Sequence, residues 1–553
     1  MSTMREIAKC EWFHGGFIVM MVLAATASLW LCWHNPNIGA DALGYLVPVQ
    51  NLMAGKGYTM GGVVNIYSSP GYGLAIWLVE FVTRDLEYAA MAVTGLSYLA
   101  LVFMAGWLGE RFGGRPGSWL AGLFVAMSPM AMTHSYLSLA DPLFAAMLMA
   151  CVCHFITSDT VSWNVRRSLI QGGLLGLSCL VRPDTVIVLP FVMAWIGVRC
   201  WIQCHHSAPR EGGVARVILL PFLVMAVFQL VMCPYMVFLY GQTGSWTVSN
   251  KIGFALMGGG QENPHLTLEM ARAATGYLFV NLYETLGRCA ENLLLLAHKT
   301  VVQNYGHLVA VGLLWLVYPL LGRQPLLRLL QWPQLVRLLG TGLIFLTPLV
   351  PSLLITSYDR YVLPYFMIAL VLLAAVAMVL IVGIFGEGRR KQTVGVIVTL
   401  MLMLLAPLVP RPAVIQVVPT PLSALQASSA HLGLRKAGLR LASESGVERG
   451  FVILSRKGSV PLFYAAGKRE SLGTPLALPA TPEEIPEVLA KQHVDYVILD
   501  GHYVPQMSAY TALWADPKGA ATALGLEWVD GQAGAYQLFR PHITAQTISE
   551  SLP

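Results

Sequence analysis

Four charged residues stand where short polar breaks interrupt long apolar runs: Asp41 in GADALGYL, Asp141 in THSYLSLADP, Arg182 in LVRPD and Arg360 in TSYDRY. Ionic side chains at membrane depth are costly, so each is a functional candidate by default. Two carboxylates and two arginines converging on one face suit acid–base chemistry on a substrate that carries phosphate. A carboxylate takes a proton from a group within hydrogen-bond reach, and a guanidinium offers phosphate oxygens a planar, permanently charged fork. Tyr45, Tyr67, Tyr72, His134, Tyr358 and Tyr361 flank these positions and are candidates to line a substrate site.

Each charged residue also has a plainer reading. Asp141 precedes a proline at a helix start, where aspartate commonly caps. Asp184, two residues after Arg182, reads better as an ordinary acid in a first helical turn, favoured by the dipole. Arg360 could pair with Asp359 and snorkel at the interface. Asp41 has the weakest structural excuse, because it lies in a short polar break between apolar segments.

The elements that position these residues follow from composition. Of 553 residues, 56% are hydrophobic and 12% charged, against about 25% charged in ordinary soluble domains. Apolar runs of roughly 17 to 25 residues, the length that crosses a bilayer, recur up to residue 410. They predict about eleven transmembrane helices, near 16–33, 88–108, 118–132, 142–157, 168–181, 185–203, 217–240, 305–322, 338–356, 361–384 and 394–410. Basic residues occupy alternate loops: Arg111 and Arg115, Arg166 and Arg167, Arg199 with Arg210 and Arg216, Arg323 with Arg328 and Arg337, then Arg389, Arg390 and Lys391. By the positive-inside rule these loops and the N-terminus, with Arg5 and Lys9, face the cytoplasm. The net charge of +6 is therefore a topological signal, and no nucleic-acid partner is implied. The outer face then carries loops 34–87, 133–141, 241–304 and 356–361. Residues 71–83, short and containing Glu80, are expected to lie along the outer face rather than cross. The stretch from Met270 to Asn304 has a similar character.

Beyond residue 411 the texture changes to that of a water-soluble α/β domain, with helices expected at 423–443, 481–492 and 506–524. Strands are expected at 451–455 (FVILS) and 494–499 (VDYVIL), with a closing hairpin of LEWVD and AYQLF. Strands alternating with helices form a small layered fold. The chain thus divides into a membrane domain, 1–410, and an extracytoplasmic domain, 411–553. Cysteines offer no disulfide framework. Cys200, Cys204, His205 and His206 lack the second well-spaced pair that a structural zinc site wants.

The order of these motifs resembles one superfamily. It comprises an acid in the first outer loop, Ser69-Pro70-Gly71-Tyr72 before an amphipathic segment, and an acid in the second loop. After them come an Arg-Pro turn behind a glycine-rich helix (Gly172, Gly173, Gly176) and a late aromatic-Arg-Tyr segment. The pattern is similar to membrane glycosyltransferases of the GT-C fold, especially the protein O-mannosyltransferase and aminoarabinose transferase branch. That resemblance implies inverting transfer from a polyprenyl-phosphate sugar to a glycan, lipid or protein acceptor at the outer face of the plasma (inner) membrane. Asp41 would be the general base, Asp141 its neighbour orienting the acceptor, and Arg182 and Arg360 would hold the donor phosphate. The chemistry suits the residue types. Attack by an alcohol at an anomeric carbon needs one base, and cationic clamping of a departing phosphate can replace a general acid. No cofactor is expected. A divalent metal is conceivable, but Asp41 is followed by alanine, so the acidic pair of the oligosaccharyltransferase type is missing. The alternative class, a transporter or flippase of lipid-linked glycans, predicts internal repeats and charges near the bilayer midplane; no repeat is evident.

Overall fold

The computed structural model describes residues 15–34, 38, 40–60, 62–66, 68–157, 163–206, 213–244, 246–249, 282–320, 333–346, 359–386, 388–406, 432–443, 451–467, 473–501, 504 and 507–542. Tyr67, Tyr358 and most of the 241–304 loop lie outside these residues, as do the side chains of Arg360 and Tyr361.

The first half is a bundle of apolar helices: α1 Gly15–His34, α2 Ala40–Met53, α3 Pro70–Thr83, α4 Leu86–Ala126, α5 Pro129–His134, α6 Ala140–Thr157, α7 Val165–Val181, α8 Val188–His206 and α9 Gly213–Thr243. After them come α10 Leu282–Gln303, α11 Tyr305–Leu320, α12 Pro333–Leu346, α13 Asp359–Phe385 and α14 Arg389–Leu405. Among the described residues four stretches are long and apolar enough to cross a membrane: Leu86–Ala126, Pro183–Cys204, Ala215–Thr243 and Val362–Phe385. Shorter apolar helices cover Phe17–Cys32, Ala140–Ile156 and Tyr305–Leu320. This is a multi-pass membrane protein.

α4 is two helices in one. The backbone leaves helical geometry at Gly113 and Gly114, and the two arms fold back on each other. Gly109 and Gly117 approach so closely that a Cβ on either would collide with the other's backbone. The Tyr98 hydroxyl reaches across to the Ala126 carbonyl at 2.7 Å. The expected segments at 88–108 and 118–132 thus fall on one hairpin, the second being broken at Ser128, whose side chain caps α5. Small residues also set the α7–α9 seam. A Cβ at Gly172 would lie 2.5 Å from the Val224 carbonyl oxygen, and one at Gly176 would lie 2.7 Å from Val231 Cβ. Close backbone approach through small residues is how helices associate where lipid removes the hydrophobic drive.

The segment between α1 and α4 is a folded unit. Strands β1 Thr59–Met60 and β2 Val63–Val64 pair antiparallel. Asn65 is buried and donates to the Gly44 carbonyl at 2.9 Å while its Oδ1 accepts from the Ser68 amide, tying the segment to α2. α3 buries Tyr72, Gly73 and Ile76 and exposes Leu74, Leu78, Phe81 and Val82. An apolar helix with one face on protein and one apolar face outward suits a position at the membrane surface. α3 ends at Arg84 in the left-handed conformation. Asp85 then opens α4, its carboxylate accepting from the Glu87 and Tyr88 amides.

Residues 432–541 form a five-stranded mixed sheet with short helices. These are α15 Leu432–Leu441, β3 Val452–Leu454, α16 Ser459–Ala465, β4 Thr474–Leu476, α17 Ile485–Lys491, β5 Tyr496–Asp500, α18 Thr511–Ala515, α19 Pro517–Ala523, β6 Leu526–Gln532 and β7 Tyr536–Pro541. The strand order is β4-β3-β5-β7-β6, with β4, β3 and β5 parallel and the β6–β7 hairpin antiparallel. β5 is buried along its whole length, as a central strand covered on both faces must be.

Candidate active site

The ends of three helices bring charge together. α7 terminates at Arg182, whose backbone is extended (φ −146°, ψ 130°). The following Pro183 explains this, since a residue before proline is pushed out of the helical region. A 3-10 turn over Pro183–Ile187 follows, pinned by Ser178 Oγ and Thr185 Oγ1 at 3.0 Å. Released from the helix, the Arg182 guanidinium forks. One nitrogen donates to Asp141 Oδ1 and the other to Asp184 Oδ2 at 2.6 Å. The Phe144 ring lies 5.2 Å from its Cζ. Arg182 and Asp141 are buried, which is where charge-assisted bidentate bonds are strongest. Asp141 is the second residue of α6, inside the helix and bonded to Arg182; the cap reading does not describe it. Asp184, read from sequence as an ordinary first-turn acid, is the third member of the cluster.

Tyr365 on α13 completes the group. It is buried, within electrostatic reach of Asp184, Arg182 and Asp141, and its hydroxyl has no hydrogen-bond partner among the described residues. Its only sequence context is the apolar run VLPYFMIAL, which carries no signal of a site. Arg360 lies in the first turn of the same helix, five residues earlier and so about 7.5 Å along the axis.

The first outer segment meets the cluster through aromatics. Gly71 lets α3 dock on the end of α7: a Cβ there would lie 2.7 Å from the Leu180 carbonyl and the Val181 nitrogen. Tyr72 is thereby held next to Arg182's helix, fully buried, its hydroxyl bonded to the Ala90 carbonyl at 3.4 Å. Burial, then the neighbouring Tyr45 and Asp141, push the Tyr72 phenol well above its usual pKa, so it stays a neutral donor. Tyr45 packs edge-on against Tyr72 with ring centroids 5.2 Å apart. Asp41, exposed in the first turn of α2, stands one helical turn before Tyr45, on the same face. Tyr45 and Tyr72 thus stand between the turn that carries Asp41 and the Arg182 cluster, Tyr72 within electrostatic reach of Asp141. His134 is buried at the end of α5, where its Nδ1 contacts the Met130 carbonyl at 2.9 Å, an intrahelical contact.

Among the described residues no three His, Cys, Asp or Glu side chains converge as metal ligands. Asp141 and Asp184 face a guanidinium, so the donor set does not fit a divalent ion, and no step below uses one.

No protein-family model matches the sequence, and no curated protein matches it. Solved structures do. ArnT from Cupriavidus metallidurans, bound to undecaprenyl phosphate, superposes with a TM-score of 0.56 at 11% identity, covering 96% of this chain and 98% of that one. The fold is the GT-C fold of membrane glycosyltransferases. The Archaeoglobus fulgidus oligosaccharyltransferase, in complex with zinc and sulfate, shares it with a TM-score of 0.53 at 14% identity, over 90% of this chain and 69% of that one. The same enzyme tethered to an acceptor peptide matches at 0.52 and 12% identity, over 89% and 70%.

Proposed function

We infer that this chain moves a hexosyl or pentosyl group from a polyprenyl-phosphate donor to an acceptor hydroxyl, with inversion, at the outer face of the plasma (inner) membrane. The observation that carries the reading is the buried Arg182 fork between Asp141 and Asp184 at the helix ends. It lies in a fold whose solved examples include an ArnT bound to undecaprenyl phosphate. The alternating basic loops support a cytoplasmic N-terminus and an extracytoplasmic segment beyond residue 411.

In this mechanism Asp41 removes the acceptor hydroxyl proton as the oxygen attacks the anomeric carbon. The bond from that carbon to the phosphate oxygen breaks, and its electron pair leaves with polyprenyl phosphate. Arg182 and Arg360 hold the charge that develops there, and the Tyr365 hydroxyl donates to the same oxygens. Asp141, fixed by Arg182, orients the acceptor. Asp141 is buried against Arg182, whereas Asp41 is exposed in the first turn of α2; that exposure supports Asp41 as the base. The test is transfer from a purified polyprenyl-phosphate sugar in liposomes. Asp41→Asn lowers the rate by about a hundred- to ten-thousandfold, the usual contribution of a general base, while donor binding persists. Undiminished transfer in that variant removes the mechanism.

A further inference from the structure

The C-terminal sheet region meets the first outer segment around a buried phenol. Tyr464, on α16, is fully buried. Its hydroxyl donates to Glu87 Oε1 at 2.7 Å and accepts from the Ile38 amide at 3.3 Å. Glu87 is itself buried, in the first turn of α4. Arg435 on α15 lies over the Tyr464 ring, Cζ 5.3 Å from its centroid, and its Nε is 3.6 Å from Glu87 Oε1. α15 is in turn clamped to the sheet. The Leu434 amide donates to Asp500 Oδ2 at 3.1 Å, and a side chain at Gly433 would collide with the Ala535 carbonyl.

Ile38 is the residue that gives the contact its consequence. It lies three residues before Asp41 and immediately ahead of the α2 N-terminus. A backbone amide held there fixes where the chain enters α2, and with it the first turn that carries the acid. A cavity of about 270 Å3 opens beside the phenol, lined by Gln50, Glu80, Asp85 and Glu87 from one side and Phe463 and Gly467 from the other. Met53, Arg84 and Leu86 complete its lining, so the seam on that side is hollow, and Tyr464 makes hydrogen bonds across it.

We propose that Tyr464 is a positioning residue: through its hydroxyl the C-terminal domain holds Ile38 and sets the place of Asp41. The proposal rests on the reading of Asp41 as the base, and makes the domain part of the frame of the active site. Burial, with Glu87 as both neighbour and acceptor, keeps the Tyr464 phenol well above its usual pKa, so the donor to Glu87 persists through the working range.

Tyr464→Phe keeps the ring and removes both bonds. In the full-length purified protein it lowers kcat by about ten- to a hundredfold, the scale on which a small misplacement acts, and leaves donor KM unchanged. It also speeds amide exchange at Ile38. Adding Asp41→Asn to this variant costs less than Asp41→Asn alone, since coupled residues are not additive. Glu87→Gln, which keeps an acceptor for the phenol, has a smaller effect. An unchanged kcat with unchanged exchange at Ile38 overturns the proposal, as does a parallel fall of kcat, donor affinity and melting temperature. Full transfer by Asp41→Asn is a separate result that removes the base reading; the exchange rate at Ile38 then decides the Tyr464 contact by itself.

Discussion

Two buried contacts between arginine and carboxylate organise this molecule, and they are built differently. At the helix ends, Arg182 serves two acids, Asp141 and Asp184, beside a Tyr365 hydroxyl with no partner among the described residues. At the seam between the sheet and the first outer segment, Arg435 faces one acid, Glu87, at 3.6 Å, and the Tyr464 hydroxyl between them both donates and accepts. The seam is matched in charge and its phenol is satisfied, although Glu87 Oε2 and Arg435 Nε have no hydrogen-bond partner among the described residues. Among the described residues the cluster sets two acids against one guanidinium and leaves the Tyr365 hydroxyl without a hydrogen-bond partner. Under the proposed function Arg360 would offset the second acid, leaving the Arg182 guanidinium and the Tyr365 hydroxyl to meet the phosphate of a lipid-linked donor.

The largest effect expected from breaking this contrast is at Arg182. Arg182→Ala leaves Asp141 and Asp184 facing each other without their cation. Breaking a buried pair by removing one partner costs about 3–5 kcal/mol, so thermal unfolding in detergent shows a marked loss of stability together with lost transfer. Arg182→Lys restores folding better than it restores donor use, because ammonium is a point charge without the fork. Unchanged stability in Arg182→Ala would mean that the acids do not depend on it.

Tyr365→Phe sharpens the comparison from the other side. Removing a hydroxyl with no hydrogen-bond partner among the described residues leaves the melting temperature unchanged or slightly raised. Its loss from a phosphate oxygen costs about 1.5–3 kcal/mol, the worth of a hydrogen bond to a charged group, or about tenfold or more in donor KM. Tyr464→Phe, by contrast, is expected to lower kcat at unchanged donor KM. If the two variants behave alike, the distinction drawn here between a ligand site and a docking seam is wrong.

The smallest effect is alkaline. The Tyr464 phenol is raised above its ordinary value of 10.0 by burial and by Glu87. A group whose folded pKa is raised contributes stability that is complete below its unfolded pKa and fades as pH climbs above it. Protection of the Ile38 amide therefore holds from neutral pH up to about 10 and weakens above it, relative to amides elsewhere. In Tyr464→Phe that alkaline loss disappears. A decline beginning near neutrality would point to a different group.

Much of the cluster was legible from sequence. Asp141 and Arg182 are 41 residues apart and were singled out because a charge at a helix end in an apolar chain has few structural excuses; the structure joins them. Asp184 was legible as a residue but not in its role, because Arg-Pro-Asp reads as an ordinary helix opening. Tyr365 sits in an apolar run, where nothing distinguishes a buried phenol from core. Glu87 looks like one more acid in a first turn. α16, seven residues with a proline, and β4, a three-residue edge strand with a proline, fall below the length at which periodicity speaks. The seam was hidden for that reason: its phenol comes from one of those elements and its acid from a helix start 377 residues earlier. The GT-C fold was readable from the order of motifs at identities of 11–14%. Helix pattern and small-residue packing persist where side-chain identity has gone.

The most direct test is binding of polyprenyl phosphate itself, without sugar, to three purified full-length proteins. The account predicts that the unsubstituted protein and Tyr464→Phe bind it with the same affinity, and that Arg182→Lys, shown to be folded by its melting temperature, binds it more weakly. Equal binding by all three, or loss confined to Tyr464→Phe, would contradict the assignment of the Arg182 cluster to the donor phosphate.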